Sequence, residues 1–119
     1  MKSIVIERTY ADTPERVWHA LTDREALGQW LMQTDFVAEL GRKFQFHDRP
    51  RPGWRGIVDC EVVELDPPRR LAYTWQGDPG KPATLVTWTL APHGTGTRLT
   101  LEHSGFRGLG GFFLRSILS

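Results

Sequence analysis

A long alternation of apolar and polar residues, running from Asp35 to His103, constrains the fold of this chain more than any other feature. A period of two is typical of β-strands, and short segments rich in Gly, Pro and Asp interrupt it at 49–53, 66–69 and 77–80. Short turns between alternating segments predict an antiparallel meander. We place its strands at 35–39, 42–48, 54–65, 70–76, 83–91 and 96–103.

One face of this meander is apolar and rich in aromatic residues. Residues two apart share a face of a strand, and five of the strands carry an apolar row on the same face. Large aromatic side chains either fill a core or line an apolar ligand site, and Tyr73 and Trp75 also carry a polar group that could orient a ligand. The candidate ligand-binding residues of this inner row are Phe44, Phe46, Val58, Cys60, Tyr73, Trp75, Trp88, Leu101 and His103.

The segments before and after the meander predict helices that could cover this face. Residues 3–10 alternate as a first strand, and Thr13-Pro14 then supplies an N-cap and a proline at the first helical position. Apolar spacing, interrupted at Thr22-Asp23 by a second N-cap, predicts short helices at 14–21 and 23–31. After a strand end at Gly105, apolar residues recur at helical spacing, which adds three candidate ligand-binding residues on a final helix: Phe106, Leu109 and Phe113.

Composition excludes several classes of protein. The 15 Lys and Arg nearly balance the 14 Asp and Glu, so no global field favours nucleic acid. One cysteine excludes an intrachain disulfide, and no apolar run approaches the roughly 20 residues that span a bilayer. Without a signal-peptide pattern, the expectation is a cytoplasmic protein with one domain over residues 1–119 and no membrane span.

Chemistry-bearing residues are few. One cysteine and four scattered histidines provide no closely spaced pair of metal ligands, so we assign no metal and no cofactor. His103 ends an apolar row, but no motif pairs it with a carboxylate or a nucleophile, and a hydrogen-bonded structural role is the more common outcome. Cys60 fits a small buried side chain better than a reactive thiol. No residue is assigned as catalytic.

The order of elements, with its local motifs, resembles a known family. The motifs are TPERVWHALTD at 13–23, Trp30, GIVDCEVVELDPPRRLAYTW at 56–75 and HSGF at 103–106. They are similar to the START-like superfamily (helix-grip, Bet v 1-like or SRPBCC), and specifically to the family named after the activator of the Hsp90 ATPase. The resemblance implies an α+β helix-grip fold. Its curved antiparallel sheet of about six to seven strands would hold two short N-terminal helices and a C-terminal helix, often with an apolar pocket between sheet and helix.

The end of this chain departs from the family pattern. Similar proteins continue for about a dozen or more helical residues, whereas Phe106 to Ser119 allows roughly 21 Å of helix at 1.5 Å per residue. Gly108, Gly110 and Gly111 weaken that helix further. We expect a shortened final helix, and either a chain trimmed from a longer protein or a homodimer in which a second copy covers the apolar stripe.

Three functions follow from these observations. The leading hypothesis is the binding of a small hydrophobic molecule between the apolar sheet face and the final helix. The resemblance alone suggests a chaperone-linked interaction module like the Hsp90 ATPase activators. The third is an enzyme of the cyclase or dehydratase kind known on this fold, with His103 or Tyr73 as acid or base.

Overall fold

The computed structural model describes residues 2–106. The first strand, β1, is followed by two helices and then by six more strands. The elements are β1 (Lys2–Tyr10), α1 (Pro14–Thr22), α2 (Arg24–Trp30), β2 (Gln33–Thr34), β3 (Lys43–His47), β4 (Ile57–Asp66), β5 (Arg70–Trp75), β6 (Thr84–His93) and β7 (Gly96–Phe106).

All seven strands form one antiparallel, curled sheet in the order β1-β7-β6-β5-β4-β3-β2. Strands β2 to β7 therefore form the expected meander, and β1 joins it by pairing with the last strand. The register keeps the apolar rows on one face, since Tyr73 lies opposite Val86 and Val86 lies opposite His103. The α+β helix-grip fold with two short N-terminal helices is confirmed.

The two helices begin at the caps that the sequence indicates. Thr13 accepts a hydrogen bond from the backbone N–H of Arg16 at 3.4 Å, and Pro14 follows at the first helical position. Asp23 ends α1 by donating its backbone N–H to His19, and its carboxylate accepts from the N–H of Ala26 at 2.9 Å to start α2. One residue thus separates the helices. Neither helix is long and apolar enough to cross a membrane, as far as residues 2–106 are concerned.

The strand expected at 35–39 is wrong. The chain pairs with β3 two residues earlier, at Gln33–Thr34, and then leaves the sheet. The Asp35 carboxylate accepts the backbone N–H of Gln45 at 2.8 Å, so a side chain takes the place of a backbone partner. Phe36 then turns into the core, where 2% of it is exposed.

The strand expected at 54–65 begins later, at Ile57. Trp54 and Arg51 exchange backbone hydrogen bonds across the preceding turn, so Trp54 belongs to the β3–β4 connection. Gly56, with φ of +81°, then returns the chain to the sheet. A Cβ on Gly56 would lie 2.5 Å from the carbonyl oxygen of Asp48, which restricts this position to glycine.

The strand end expected at Gly105 is also wrong, because β7 continues to Phe106. Lys2 pairs with Phe106 and Ser3 with Ser104, so Gly105, with φ of +86°, forms a bulge within the pair. Phe106 therefore lies in a strand and not at the start of a helix. The predicted final helix, with Leu109, Phe113 and the expected dimer contact, lies outside the described residues.

Candidate functional site

The aromatic part of the predicted site forms the packed core. Phe44, Phe46, Tyr73 and Trp75 are all at most 3% exposed. Their rings meet in edge-to-face or tilted contacts, with centroids 5.3 Å apart for Phe44 and Tyr73 and 5.5 Å apart for Phe46 and Trp75. Val58 is fully buried in the same cluster. The structure thus brings these predicted residues together, in contact with one another.

The Cys60 thiol belongs to this core as well. Burial raises its pKa well above the usual range, and the nearby carboxylates of Asp59 and Asp35 act in the same direction. A thiol that stays protonated is a poor nucleophile. Cys60 is therefore suited to packing and not to covalent chemistry.

His103 is a buried neutral imidazole. Its side chain has no exposed surface, and Nε2 lies 2.5 Å from the Thr84 hydroxyl. Burial lowers the His103 pKa from 6.5 to about 4, because the protein interior disfavours the charged form. The ring stands edge-on to Trp75 at 6.0 Å. Within residues 2–106, the buried Trp75 indole N–H has no hydrogen-bond acceptor.

Tyr73 connects the core to Trp88. The Trp88 indole N–H donates to the Tyr73 hydroxyl at 2.9 Å, and both side chains are buried. Burial raises the pKa of the Tyr73 hydroxyl, although the hydrogen bond from Trp88 opposes the shift. Tyr73 consequently remains a neutral phenol that fixes the orientation of the Trp88 ring.

An open cavity of about 460 Å³ lies on the other side of Trp88. Its sheet side is formed by residues of β1, β6 and β7, and its other side by α1, by Asp12 ahead of that helix and by the end of α2. The lining residues are Ile6, Arg8, Tyr10, Asp12, Arg16, Val17, Ala20, Leu21, Trp30, Trp88, Leu99 and Leu101.

Strand register explains the sheet side of this cavity. Ile6 pairs with Leu101 and Arg8 pairs with Leu99 across β1 and β7, and Trp88 pairs with Leu101 across β6 and β7. Residues paired directly across antiparallel strands share one face. The aliphatic side chains therefore form a continuous apolar surface beneath α1.

Trp30 forms one edge of the cavity opening. Its indole N–H donates to the Ala20 carbonyl at 2.8 Å, which ties the end of α2 to α1. Its ring meets Trp88 edge-to-face, with the two ring planes at 84° and the centroids 6.0 Å apart. Trp30 is nevertheless 42% exposed. This large apolar side chain is held in place at an opening that water reaches.

The charged residues of the cavity lie toward the end of β1. Arg16 and Asp12, four residues apart in the sequence, form an exposed ion pair at 3.9 Å. Arg8 donates to the neighbouring Glu7 carbonyl at 2.9 Å, and no carboxylate of the described residues lies within ion-pair distance of it. The cavity therefore has an apolar body and one cationic end.

Two of the predicted site residues, Trp88 and Leu101, line this cavity. The other predicted residues within the described part of the chain do not, His103 and Tyr73 included. Sequence reasoning missed the aliphatic contributions of β1 and α1. The signal was present, since Ile6 lies on the alternating face of the first strand and Val17 and Leu21 lie four residues apart on a helix.

Metal-binding side chains are scattered. Within residues 2–106, no group of three His, Cys, Asp or Glu side chains is arranged to hold a metal ion.

Comparisons with known proteins agree on the fold. MLL2253 from Mesorhizobium loti is 35% identical, with a TM-score of 0.83 over 98% of this chain and 87% of its own. CalU16 from Micromonospora echinospora is 27% identical, with a TM-score of 0.77 over 97% and 71% of the two chains. The Aha1 dimer from Colwellia psychrerythraea, at 20% identity, shares the fold with a TM-score of 0.79 over 99% and 87%.

No curated protein shows significant similarity to the chain. Residues 11–110 match the family model described as Activator of Hsp90 ATPase homolog 1-like protein. This match spans both helices and most of the sheet, and it agrees with the resemblance seen in the sequence. The chain therefore belongs to the Activator of Hsp90 ATPase homolog 1-like family.

Proposed function

We propose that this protein binds a small hydrophobic molecule in the cavity between α1 and the β1–β7–β6 part of the sheet. The observation that carries the proposal is an open cavity of about 460 Å³ with an aliphatic floor and two tryptophans. This volume lies in the roughly 300–1,000 Å³ range of small-molecule sites. The proposed site lies beside the aromatic core and shares only Trp88 and Leu101 with the row that the sequence favours.

The chemistry of the wall supports an apolar ligand. Ile6 and Leu99 are half-buried, and removing their remaining apolar surface from water favours binding by roughly 25 cal/mol per Å². Trp88 is fixed by its hydrogen bond to Tyr73 and by Trp30, so little side-chain freedom is lost when a ligand contacts it. A largely preformed apolar wall favours the binding of an apolar ligand whose shape fits the cavity.

Binding is tested with neutral probes, decanol and 2-naphthol, by native mass spectrometry and tryptophan fluorescence. Fluorescence is informative because Trp30 and Trp88 border the cavity. The Ala20→Phe variant adds a ring to the cavity wall and is expected to weaken binding of both probes at least about tenfold, a loss of at least about 1.4 kcal/mol.

The matched control is Ala83→Phe, the same change at an exposed position outside this cavity. It is expected to bind the probes like the wild type. Binding by neither probe to the wild-type protein would refute the proposal, and so would equal binding by the wild type and both variants.

One protein of the same fold bears on this function. DynU16, which comes from the dynemicin biosynthetic locus, shares the fold at 23% identity with a TM-score of 0.79, and this chain covers 42% of it. A protein of this fold thus occurs in a biosynthetic locus. At that identity the similarity concerns the fold, so the cavity chemistry remains the main support.

The family match favours a second candidate, a chaperone-linked interaction module. Residues 11–110 match a family that is named after an activator of the Hsp90 ATPase. This candidate predicts that the purified protein stimulates ATP hydrolysis by an Hsp90-type chaperone from the same organism. An unchanged ATPase rate at saturating protein, with no complex in a pull-down, would rule it out.

The third hypothesis, an enzyme with His103 or Tyr73 as acid or base, receives no support from the geometry. Both side chains are buried, and neither lines the cavity. A general acid or base must come within hydrogen-bond reach of the substrate, directly or through one water.

A further inference from the structure

We infer that the natural ligand of the cavity is an amphiphile with an apolar body and a single carboxylate head, which binds next to Arg8 and Arg16. The inference rests on the proposed function, because it names the chemical class of ligand for the same cavity. The observations that carry it are the position of Arg8, the weak pairing of Arg16 and the net charge of this end of the cavity.

Arg8 is an exposed cation on the face of β1 that also carries two apolar side chains. It follows Ile4 and Ile6 on the inward face of β1, and its partner across the strands is Leu99. The outward positions of the same strand already carry polar residues, including Glu7, which pairs with Arg98 at 3.6 Å. The outward face of β1 thus already presents polar side chains to water, and Arg8 adds a charge on the cavity side of the strand.

The Arg8 guanidinium retains most of its donors for a ligand. Within residues 2–106, its hydrogen bond goes to the adjacent Glu7 carbonyl and uses one N–H of the five. Arginine presents its N–H groups in a planar fork that matches a carboxylate. A ligand carboxylate beside Leu99 would accept hydrogen bonds from the remaining N–H groups of Arg8.

Arg16 adds a second positive charge on the helix side of the cavity, and Asp12 reduces the net positive charge there. Arg16 and Asp12 are 3.9 Å apart and mostly exposed, a geometry in which an ion pair contributes little. Two arginines and one aspartate leave a net charge of +1 at this end of the cavity. A single net positive charge fits a monoanion, and carboxylate is the common monoanionic head of hydrophobic metabolites.

The test compares decanoate with decanol, which have the same apolar chain and different heads. Their affinities are measured by calorimetry at about pH 8, where a carboxylate is ionised. The readout is the ratio of decanoate affinity to decanol affinity. Using the ratio removes effects on the apolar wall, which both probes share.

Arg8→Gln is expected to lower this ratio by about tenfold, the value of a charge-assisted hydrogen bond of about 1.4 kcal/mol. Arg16→Gln is expected to lower it by a smaller factor, because Asp12 already engages that arginine. Asp12→Asn should raise the ratio, since it removes the one negative charge beside the head group. A general loss of structure would not produce changes of opposite sign.

The matched control is Arg98→Gln, which removes a positive charge from the outward face of β7, next to the same edge strand. Its ratio should remain within about twofold of the wild type. If both probes bind and none of the Arg8, Arg16 and Asp12 variants moves the ratio, the inference is refuted while the proposed function stands. If neither probe binds the wild-type protein, both are refuted.

Discussion

The hydrogen bond between Tyr73 and Trp88 allows a quantitative test of how the core supports the cavity. Tyr73→Phe removes one oxygen atom and leaves the ring contacts of Tyr73 unchanged. The Trp88 indole N–H, now 2.9 Å from that oxygen, would lose its acceptor in a position where Trp88 is 5% exposed. A buried donor left without an acceptor costs about 1–3 kcal/mol.

We therefore expect Tyr73→Phe to lower the free energy of unfolding by about 1–3 kcal/mol, measured by urea denaturation with an unchanged m-value. The matched control is Tyr10→Phe, the same change at a side chain that is 44% exposed at the rim of the cavity. Changes at exposed positions usually stay within about 0.5 kcal/mol.

A double-mutant cycle with Trp88→Phe isolates the pair itself. If the hydrogen bond is formed as described, the coupling free energy between the two positions should be about 0.5–1.5 kcal/mol. A Tyr73→Phe effect no larger than that of Tyr10→Phe, or a coupling free energy of zero, would refute the reasoning. Because Tyr73 lies behind Trp88, the same variant reports how far the core orients the cavity wall.

Two further predictions concern the sheet. His103 has a pKa of about 4 in the folded protein and 6.5 as a free side chain, so between these pH values the unfolded chain binds a proton that the folded protein does not. The free energy of unfolding should therefore fall by up to about 1.4 kcal/mol per pH unit as the pH drops from 6.5 to 4. Urea titrations should show that His103→Gln flattens this dependence while the exposed His93→Gln does not. Gly96→Ala should destabilise the protein by about 1–3 kcal/mol or more in thermal unfolding, because a Cβ would collide with the Tyr10 carbonyl oxygen. Gly80→Ala, whose Cβ would meet only the Asp78 side chain, should have a far smaller effect.

Alternation and turn residues were sufficient to predict most of the sheet. The register of β5, β6 and β7 follows from the rows that include Tyr73, Val86 and His103, because one apolar face must stay buried. The caps at Thr13 and Asp23 likewise predicted two helices, whose observed ends differ by about one residue.

The errors occurred where a side chain or a glycine replaces a regular backbone pairing. Asp35 binds the Gln45 N–H with its carboxylate, and Gly105 forms a bulge within β7. Neither event changes the apolar pattern, so periodicity does not reveal them. Both depend on contacts between residues that are distant in the sequence or on a positive φ angle.

The cavity position was harder to predict for a different reason. The strongest aromatic signal, from Phe44 to Trp75, belongs to side chains that fill the space between them. An unfilled volume depends on the sizes and rotamers of all the surrounding side chains, which a single sequence does not specify. The cavity lies where aliphatic residues such as Ile6 and Leu99 face a small residue, Ala20, on α1.

The pairing of β1 with β7 also determines when the cavity can form during synthesis. Residues of β1 are synthesised before the meander, whereas their partners on β7 are synthesised at its end. Pairing between segments so far apart in the chain carries a high entropic cost and tends to be slow. Because the cavity floor contains Ile6 from one strand and Leu101 from the other, the binding site is completed only after the last strand is available. Until then Ile4 and Ile6 lack their partners on β7, and an unpaired strand of this kind is prone to aggregation.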